Sequence, residues 1–443
     1  MVQEISSGKG GWKRYPKYKD SCALWLGEVP EGWEIKPLNF STDLITDGSH
    51  YSPPACSNGF SYITVGDIKK GIIDVENSAK ICAEDFQLLE RNRCRPKIND
   101  ILFSKDGTIG KVVLANRDDF VILSSLAIIR PRSFIFPNFL KYFFESNSGI
   151  QQMEVHLVGA ALRRITLVII NRFKIISPPF PEQIAIAAFL DHETALIDEV
   201  ISKKERQIEL LKEKRAALIS HAVTKGLDAN VKMKNSGVDW IGVVPEHWEI
   251  IKNKGIYQEI DERSITGKEE LLTVSHITGV TPRSEKNVNM FLPLSFEGYK
   301  LCKNGDLAIN TMWAFMGALG FSPCNGIVSP SYNIYRLKKR YVSKYFDYLY
   351  RTPAFICEIL RYSKGVWTSR LRLYPDEFLS MFSIIPPVDE QKKIVEHINS
   401  TIEKEKDQIK KIQHSIDLLK EHRIALISAA VTGKIDVRSE VQA

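Results

Sequence analysis

A few short loops of this sequence combine basic, hydroxyl, histidine and aromatic side chains between stretches typical of strands. Such mixtures suit two tasks, holding phosphate groups and hydrogen-bonding to the edges of nucleic-acid bases. For any single residue a solvated surface position is the simpler interpretation, so the prediction depends on the grouping. The candidates in the first half of the chain are Ser49, His50, Tyr51, Lys105, Thr108, Lys111, Arg163 and Arg164, and those in the second half are Ser275, His276, Arg283, Trp313, Lys364, Thr368, Ser369 and Arg370.

Motifs for catalysis are weaker. Ser177-Pro178-Pro179-Phe180 resembles the catalytic loop of amino-methyltransferases, but residues 385–388 of a second copy lack its polar and aromatic members. No glycine-rich loop follows a strand to hold S-adenosylmethionine, and residues 107–112 lack the spacing of a phosphate-binding loop. The nine histidines show no H-x-x-x-H spacing that would favour a metal site. We therefore predict a non-catalytic protein without cofactor or metal, in which Pro178 and Pro179 precede a helix.

The composition restricts the possible partners and the cellular location less tightly than the motifs restrict the chemistry. The formal net charge of +7 permits a polyanionic partner without requiring one. Seven cysteines without a C-x-x-C pair predict reduced thiols and a cytoplasmic location. The N-terminal segment is basic and lacks the apolar core of a secretory signal, and no apolar run approaches membrane-spanning length. We expect a soluble protein of two or three domains that does not associate with a membrane.

The elements that must position these loops are marked by a long internal repeat. Residues 210–228 read LLKEKRAALISHAVTKGLD, and residues 418–436 read LLKEHRIALISAAVTGKID, with 13 of 19 positions identical. The upstream motif Pro-Pro-x-x-Glu-Gln matches in the same register, at residues 178–183 and 386–391. A repeat of this length indicates a duplicated unit.

Each copy of the repeat predicts one long helix. Apolar residues recur in strides of three and four from Leu190 to Ala222 and from Ile398 to Ala430, which is a heptad seam. A helix over residues 182–224 would be about 60 Å long, and Gly226 and Gly433 would end the two helices. A lone helix of this kind is marginal, so we expect the two copies to pair with each other, antiparallel.

Several matched residues lie off the seam, where pairing alone does not require them. They indicate that both helices meet the same kind of partner, because the intervening segments are equally old and have diverged. The alternative is a recent duplication without selection at these positions. The predicted partner-binding residues are Glu182, Gln183, Lys212, Glu213, Arg215, Ser220 and Thr224, with Glu390, Gln391, Lys420, Glu421, Arg423, Ser428 and Thr432. Of these, Arg215 and Arg423 lie on the seam, where they would either pair across the coil or reach a partner subunit.

A second repeat precedes each large segment. Residues 19–35 and 234–250 share a Trp-x-Gly-x-Val-Pro-Glu-x-Trp-Glu-Ile pattern, whose tryptophans we interpret as core anchors. The order of strand-like and helical segments that follows is the same in both halves, so we predict two mixed α/β domains of one fold. The predicted bounds are 1–177 and 227–385 for the domains, 178–226 and 386–436 for the helices, and 437–443 for a tail. A pseudo-two-fold, nearly circular arrangement would bring residues 1–20 close to 434–443.

Both repeats in this order resemble the specificity subunit of type I restriction-modification systems, over residues 19–436. Segments of the domain bodies, such as residues 62–71, 107–111 and 328–332, are similar to that family's target-recognition domains. The second domain departs from the Gly-Thr-Ile-Gly-Lys form of residues 107–111, since residues 315–318 read Phe-Met-Gly-Ala. A shared phosphate contact at this loop is therefore not implied.

The resemblance implies that each domain reads one half of a bipartite, asymmetric site in double-stranded DNA. It implies an antiparallel coiled coil that fixes the gap between the half-sites. It further implies recruitment of two methyltransferase subunits, which carry S-adenosylmethionine and methylate adenine N6, and of two restriction subunits. In this interpretation the chain has no catalysis and no cofactor of its own, and base flipping belongs to the partner.

Two other functions are compatible with parts of the pattern. A protein-binding adaptor with two interaction domains on a coiled coil would also use the repeats, and DNA binding at low salt would distinguish it. A self-sufficient methyltransferase would need the cofactor loop that the sequence lacks.

Overall fold

The computed structural model describes residues 12–23, 25–69, 71–157, 164–286, 293, 295–365 and 371–440. The chain forms two compact units, Met1–Lys204 with Gln413–Ala443, and Glu205–Ile412. Each unit contains a mixed α/β body and parts of two long helices. Among the described residues, no helix is long and apolar enough to cross a membrane.

The first unit contains many short strands, four of which form its antiparallel main sheet. Its strands are β1 (Tyr18–Asp20), β2 (Glu28–Pro30), β3 (Glu34–Pro37), β4 (Thr42–Asp47), β5 (Phe60–Ile63), β6 (Ile68–Lys69), β7 (Ile72–Ile73), β8 (Ala79–Ile81), β9 (Ile101–Ser104), β10 (Val112–Leu114), β11 (Phe120–Ile122), β12 (Leu126–Pro131) and β13 (Lys174–Ser177). Its helices are α1 (Ala83–Arg91), α2 (Pro137–Glu145), α3 (Asn147–Glu154), α4 (Leu167–Asn171) and the start of α5 (Phe180–Lys225). The main sheet has the order β10-β9-β12-β4, and a second sheet has the order β11-β5-β8.

The second unit repeats this plan. Its strands are β14 (Met233–Asn235), β15 (Val243–Pro245), β16 (Glu249–Lys252), β17 (Tyr257–Ile260), β18 (Leu272–Ser275), β19 (Gly279–Pro282), β20 (Lys300–Cys302), β21 (Leu307–Asn310), β22 (Leu319–Phe321), β23 (Gly326–Val328), β24 (Tyr332–Leu337) and β25 (Phe382–Ile385). Its helices are α6 (Asn253–Ile256), α7 (Ser343–Tyr350), α8 (Pro353–Tyr362), α9 (Pro375–Ser380) and the start of α10 (Val388–Val431). The main sheet order, β22-β21-β24-β17, matches that of the first unit strand for strand. The predicted pair of mixed α/β domains is confirmed.

Each of the two main sheets contains an equivalent internal ion pair. Arg130 donates to the buried carboxylate of Asp100 at 2.8 and 2.6 Å, and Arg336 donates to that of Asp306 at 2.8 and 2.8 Å. The residue before each aspartate, Asn99 or Gly305, has a positive φ and turns the chain into the central strand. Bidentate guanidinium–carboxylate geometry orients both partners, so the same contact fixes the same strand end in each unit.

Residues 121–129 and 327–337, which each look like one strand in the sequence, each contribute to two strands. In the first unit β11 pairs in parallel with β5, whereas β12 pairs antiparallel with β9 and β4. A short turn lets the chain pass from one sheet to the other, and the second unit has the same break between β23 and β24. Apolar periodicity did not reveal the turn because the residues on both sides of it are buried.

The long helices begin and end close to the predicted positions, and Gly226 and Gly433 follow their ends with positive φ. Within the second unit Arg215 of α5 contacts Glu405 of α10 at 3.4 Å, and Ala222 shares a core with Ile398. The residue numbers rise on one helix as they fall on the other. The helix segments of this unit are therefore antiparallel.

The first unit shows the same antiparallel pairing. Arg423 of α10 contacts Asp198 of α5 at 3.1 Å, and Arg438, just beyond α10, contacts Glu182 at 3.7 Å. The described residues nearest the two chain ends meet in this unit as predicted, since the N–H of Asp436 donates to the carbonyl of Lys13 at 2.7 Å and Tyr18 donates to the carbonyl of Gly433 at 2.9 Å.

Every position of the predicted heptad seam is buried or half-buried, except Leu218. Ile197, Ile201 and Ile208 are buried, but Leu218 is 39% exposed. Its neighbour Ile219 packs against the core of the second unit instead. A straight α-helix drifts about 20° per heptad from a 3.5-residue repeat, so the buried stripe has moved by one residue at this end.

Candidate nucleic-acid interface

The predicted residues of the first unit meet at one edge of the main sheet. Strand β12 is antiparallel to β4 and β9, with Ala127 opposite Asp47 and Leu126 opposite Ser104. The last residues of β4 and β9 and the first residue of β12 therefore lie side by side. The loops at this edge carry residues 47–51 and 104–111, and Arg164 joins them through a bridge to Asp106.

A run of alternating charges connects these loops. Lys105 Nζ lies 3.5 Å from Asp47 Oδ2 and 3.2 Å from Asp106 Oδ2, and its side chain is only 1% exposed. His50 Nε2 lies 3.1 Å from Asp47 Oδ2, and Arg164 Nε lies 3.1 Å from Asp106 Oδ1. Two carboxylates offset the buried ammonium, whereas the His50 and Arg164 side chains stay about half exposed or more. We call these five residues the charged edge cluster.

Lys105 therefore positions neighbouring side chains, because its ammonium group is enclosed by its own unit. Lys111 is likewise occupied, since its Nζ donates to the carbonyls of Val65 at 3.3 Å and Ile68 at 3.0 Å. The groups left at the surface are the imidazole of His50, the guanidinium of Arg164 and the outer carboxylate oxygens. These can donate to and accept from base edges or phosphates.

The remaining predicted residues of the first unit form turns. Ser49 is buried, donates to the carbonyl of Tyr51 at 2.6 Å and accepts from its N–H at 3.0 Å. That turn leaves the ring of Tyr51 51% exposed. Thr108 is exposed at the tip of the other loop, and its carbonyl accepts from Ser104 at 2.6 Å.

In the second unit the corresponding loop follows β21 and carries Trp313, whose side chain is 49% exposed. The N–H of Leu373 donates to the carbonyl of Thr311 at 3.0 Å, as the N–H of Ile165 donates to that of Lys105 at 2.9 Å in the first unit. Thr311 thus takes the place of Lys105.

Lys364 belongs to the strand-like turn beside this loop. Its backbone exchanges two 2.9 Å hydrogen bonds with Arg372, and its ammonium group is paired with Glu377. Arg372 is exposed, and its Nη2 lies 3.7 Å from Met312 Sδ. Arg372 was not among the predicted residues, although it ends the same basic turn.

Ser275 and His276 lie at the tip of the β18–β19 hairpin. Ser275 Oγ accepts from the N–H of Ile277 at 3.2 Å, and the side chain of His276 is exposed. Arg351 Nη2 donates to the carbonyls of His276 at 3.4 Å and Ile277 at 3.1 Å, so it holds the tip in place. No motif in the sequence indicated this role of Arg351.

Arg283 starts the turn that follows β19, and its N–H donates to the carbonyl of Leu271 at 2.8 Å. Burial raises the pKa of Tyr332, and the positive charge of Arg283 acts in the opposite direction. Tyr332 accepts from Asn310 at 3.1 Å, which is the last residue of β21. Tyr332 is thereby bonded to the strand end that carries the Trp313 loop. Arg163, Thr368, Ser369 and Arg370 lie outside the described residues.

Two of the predicted partner-binding residues bind a tryptophan of their own unit. The indole N–H of Trp33 donates to Glu182 at 3.1 Å, and that of Trp248 donates to Glu390 at 3.0 Å. Trp33 and Trp248 are buried, as predicted for core anchors, whereas Trp25 and Trp240, the first tryptophan of each motif copy, are half-buried.

The glycine after the opposite helix packs on the same ring. A Cβ added to Gly433 would lie 3.0 Å from Trp33, and one added to Gly226 would lie 3.2 Å from Trp248. We call each set of tryptophan, glutamate and glycine a helix-end clamp, because it joins the start of one long helix to the end of the other within one unit. The clamps are Trp33, Glu182 and Gly433 in the first unit, and Trp248, Glu390 and Gly226 in the second.

Gln183 and Gln391 are also used internally. Both are fully buried; Gln183 accepts from the N–H of Phe136 at 2.8 Å and Gln391 accepts from that of Val342 at 3.0 Å. Each side-chain amide also donates to the carbonyl of the first proline of its own motif at 2.8 Å. The glutamines thereby fix the loop before α2 or α7 against the start of a long helix.

The other predicted helix residues fall into two groups. Arg215 and Arg423 form the ion pairs between helices, Ser428 accepts from the N–H of Asn147 at 2.8 Å, and Thr224 and Thr432 bond to carbonyls of their own helix. Ser220 is half-buried and accepts the bond from Thr224 on its carbonyl. Lys212, Glu213, Lys420 and Glu421 instead have exposed side chains, with Lys212 paired to Glu209 and Glu213 to Arg206.

No group of three or more metal-ligating side chains occurs among the described residues. The two loop clusters instead offer hydrogen-bonding, cationic and aromatic groups on matched strand ends. This arrangement can bind a polymer with phosphates and flat bases.

Comparison with known proteins agrees with this geometry. Residues 40–210 match the family described as type I restriction modification DNA specificity domain. The chain is 24% identical over 434 residues to the putative type I restriction enzyme MjaX specificity subunit of Methanocaldococcus jannaschii, covering 94% of this chain and 96% of that protein. It is 23% identical over 418 residues to the type I restriction enzyme EcoKI specificity subunit of Escherichia coli K12, covering 86% and 85%.

A solved structure has a similar fold. It is described as the structural basis underlying complex assembly and conformational transition of the type I R-M system. The two chains superpose with a TM-score of 0.61 at 15% identity, over 92% of this chain and 99% of the other. At this identity the similarity concerns the fold.

Proposed function

This chain belongs to the specificity subunits of type I restriction-modification systems, and on that premise we propose that it reads a bipartite DNA sequence, one half with each domain. The observation that carries the proposal is the matched pair of loop clusters. They occupy the same sheet edge in both units, but one carries Lys105 and Asp106 where the other carries Thr311 and Met312. Two recognition domains that share one fold but carry different side chains suit a DNA site whose two halves differ in sequence.

The proposed recognition domains are residues 1–177 and 227–385, the conserved helices are residues 178–226 and 386–436, and residues 437–443 form a tail. In this proposal the helices act as a ruler between the half-sites. Their long antiparallel segments support the assignment, because a stiff spacer of fixed length selects half-sites at a fixed separation on B-DNA.

Specificity subunits of type I complexes bind DNA and assemble with the methyltransferase. We propose two methyltransferase subunits, one for each repeat, and two restriction subunits in the full complex. The exposed Lys-Glu pairs at 212–213 and 420–421 support a docking face that occurs twice, since the fold itself gives them few contacts. The methyltransferase partners would supply S-adenosylmethionine and transfer its methyl group to adenine N6. The cytoplasmic location of the chain stays a prediction.

The decisive experiment is to co-express the chain with its methyltransferase in a host that lacks adenine methylation, and to map methylated adenines. We expect one motif with two specific halves separated by a fixed run of unspecified bases. The affinity of the purified complex for that motif should fall steeply with salt, because phosphate contacts release counterions. A continuous motif, or methylation that persists without this chain, would contradict the proposal.

Two simple controls address the other functions. The lone chain with labelled S-adenosylmethionine and DNA should transfer no methyl group, whereas a self-sufficient methyltransferase would. A protein adaptor would show no preference for the mapped duplex over a scrambled one at low salt. The matched loop clusters favour DNA over a protein ligand. In each cluster an arginine lies beside polar or apolar side chains that can contact the edges of bases.

A further inference from the structure

The loop after β21 exposes a compact apolar group in the second unit. Met312 is 41%, Trp313 49% and Met316 42% exposed, and the ring of Phe315 lies nearly parallel to that of Trp313, with centroids 6.5 Å apart. Large apolar side chains gathered on a surface mark a binding site more often than isolated ones do. These residues form one short loop, too small for a stable subunit interface.

This apolar loop occupies the place that the charged edge cluster occupies in the first unit. Leu373 bonds to Thr311 as Ile165 bonds to Lys105, and Asn310 and Ser104 end equivalent strands. The polar tip with Thr108 in one unit thus corresponds to the aromatic tip with Trp313 in the other.

The chemistry of the two loops is nearly opposite. In the first unit Asp106 pairs with Arg164 at 3.1 Å, and in the second the corresponding arginine, Arg372, lies against the sulfur of Met312 at 3.7 Å. Arg372 therefore keeps a cation at the border of the apolar loop. A cation beside apolar side chains fits a surface that presents phosphates next to a methyl or aromatic face.

We propose that Met312, Trp313 and Met316 read the second half-site through apolar contact with thymine C5-methyl groups in the major groove. The first unit reads its half-site by hydrogen bonds and charge from the charged edge cluster. Thymine is the one base of B-DNA that presents a methyl group in that groove, so an apolar loop there selects A·T pairs of one orientation. The inference rests on the proposed function and adds the means by which the two halves are distinguished.

The test replaces thymine by deoxyuridine in the mapped motif, separately in each half-site, and measures binding by the purified methyltransferase complex. Deoxyuridine pairs like thymine and lacks only the methyl group. In the half-site of the second unit each contacted thymine should weaken binding about four-fold, the cost of exposing one buried methyl group. In the other half-site binding should change by less than two-fold.

Variants connect the effect to the loop. Trp313→Ala and Met312→Ala should weaken binding to the thymine duplex and abolish the deoxyuridine effect, while the matched control Val243→Ala, also an exposed apolar residue of this unit, should keep both. Thermal unfolding of each variant separates lost contacts from lost folding.

Several results would overturn the inference while leaving the proposed function intact. They are a second half-site without A·T pairs, equal affinity for thymine and deoxyuridine duplexes, or a deoxyuridine effect that persists in a folded Trp313→Ala protein. Absence of any sequence-specific binding would instead overturn the proposed function itself.

Discussion

At the scale of single residues, the matched motifs are explained largely by contacts inside each unit. The glutamate of each Pro-Pro-x-x-Glu-Gln motif binds the second tryptophan of the Trp-x-Gly-x-Val-Pro-Glu-x-Trp motif in its own unit. The glutamine fixes a neighbouring loop. Identical residues at distant places in the sequence thus meet in one helix-end clamp. A motif that repeats can report a shared internal contact as readily as a shared partner.

Glu182→Ala distinguishes these two roles. The change leaves the buried indole N–H of Trp33 without its acceptor, which should lower the free energy of unfolding by about 1–3 kcal/mol. The matched variant Lys212→Ala/Glu213→Ala removes only exposed charges, so it should cost less than about 1 kcal/mol. Denaturant unfolding measures the first effect and co-purification of the methyltransferase the second, which only the double variant should reduce. Unchanged stability in Glu182→Ala, together with lost co-purification, would show that Glu182 serves the partner.

The cysteines provide a second prediction at this scale. Burial raises the pKa of Cys94 to about 11 and that of Cys302 to about 12, so both thiols stay protonated at pH 8. Because the thiolate is the reactive form, iodoacetamide at pH 8 should modify the exposed Cys22 and Cys357 and spare the two buried thiols until the protein is unfolded. Mass spectrometry after native and denatured labelling checks this. Native labelling of Cys302 at the rate of Cys357 would contradict the packing around β20.

At the scale of elements, the sequence predicted the long helices well because their pattern is periodic and their ends are marked by proline and glycine. The strand bodies were predicted less precisely. The turn between β11 and β12 holds only Ser124 and Ser125, and two polar residues between buried segments did not distinguish one long strand from two strands of different sheets. Likewise, the loop candidates came from composition, which could not reveal that Lys105 is enclosed while Arg372 is exposed.

The ruler proposed for the helices predicts a change in DNA spacing. Inserting seven residues into α5 after Ser202, and seven into α10 at the matched place after Lys410, keeps the heptad seam in phase. The insertion lengthens each helix by about 10 Å at 1.5 Å per residue. The unspecified run between the half-sites should therefore grow by about three base pairs, with both half-sites unchanged. Inserting seven residues into α5 alone is the control, and it should destabilise the protein because the seams no longer match. Methylation mapping that shows the original spacing in the folded double insertion would contradict the ruler.

At the scale of the whole molecule, duplication explains both the likeness and the difference of the two units. The sheets keep one strand order and one Asp–Arg pair, while the loops at their edge have lost nearly all similarity. The buried ion pair and the helix-end clamp fix the scaffold. The edge loops can therefore change without loss of the fold.

Independence of the two scaffolds leads to a prediction for domain exchange. Replacing residues 227–385 with the corresponding segment of a relative should change one half of the methylated motif and leave the other half and the spacing unchanged. The physical reason is that the exchange leaves the first unit, residues 1–204 and 413–443, unchanged, so this unit keeps its own core and its charged edge cluster. Glu390 and Gly226 also remain, and they can receive the tryptophan of the incoming segment. Exchange of residues 1–177 is the matched control, and it should change the opposite half. Methylation mapping of the two chimaeras reads out both halves at once. If one exchange altered both halves, the loops of one unit would have to influence base reading by the other, and autonomous domains would be ruled out.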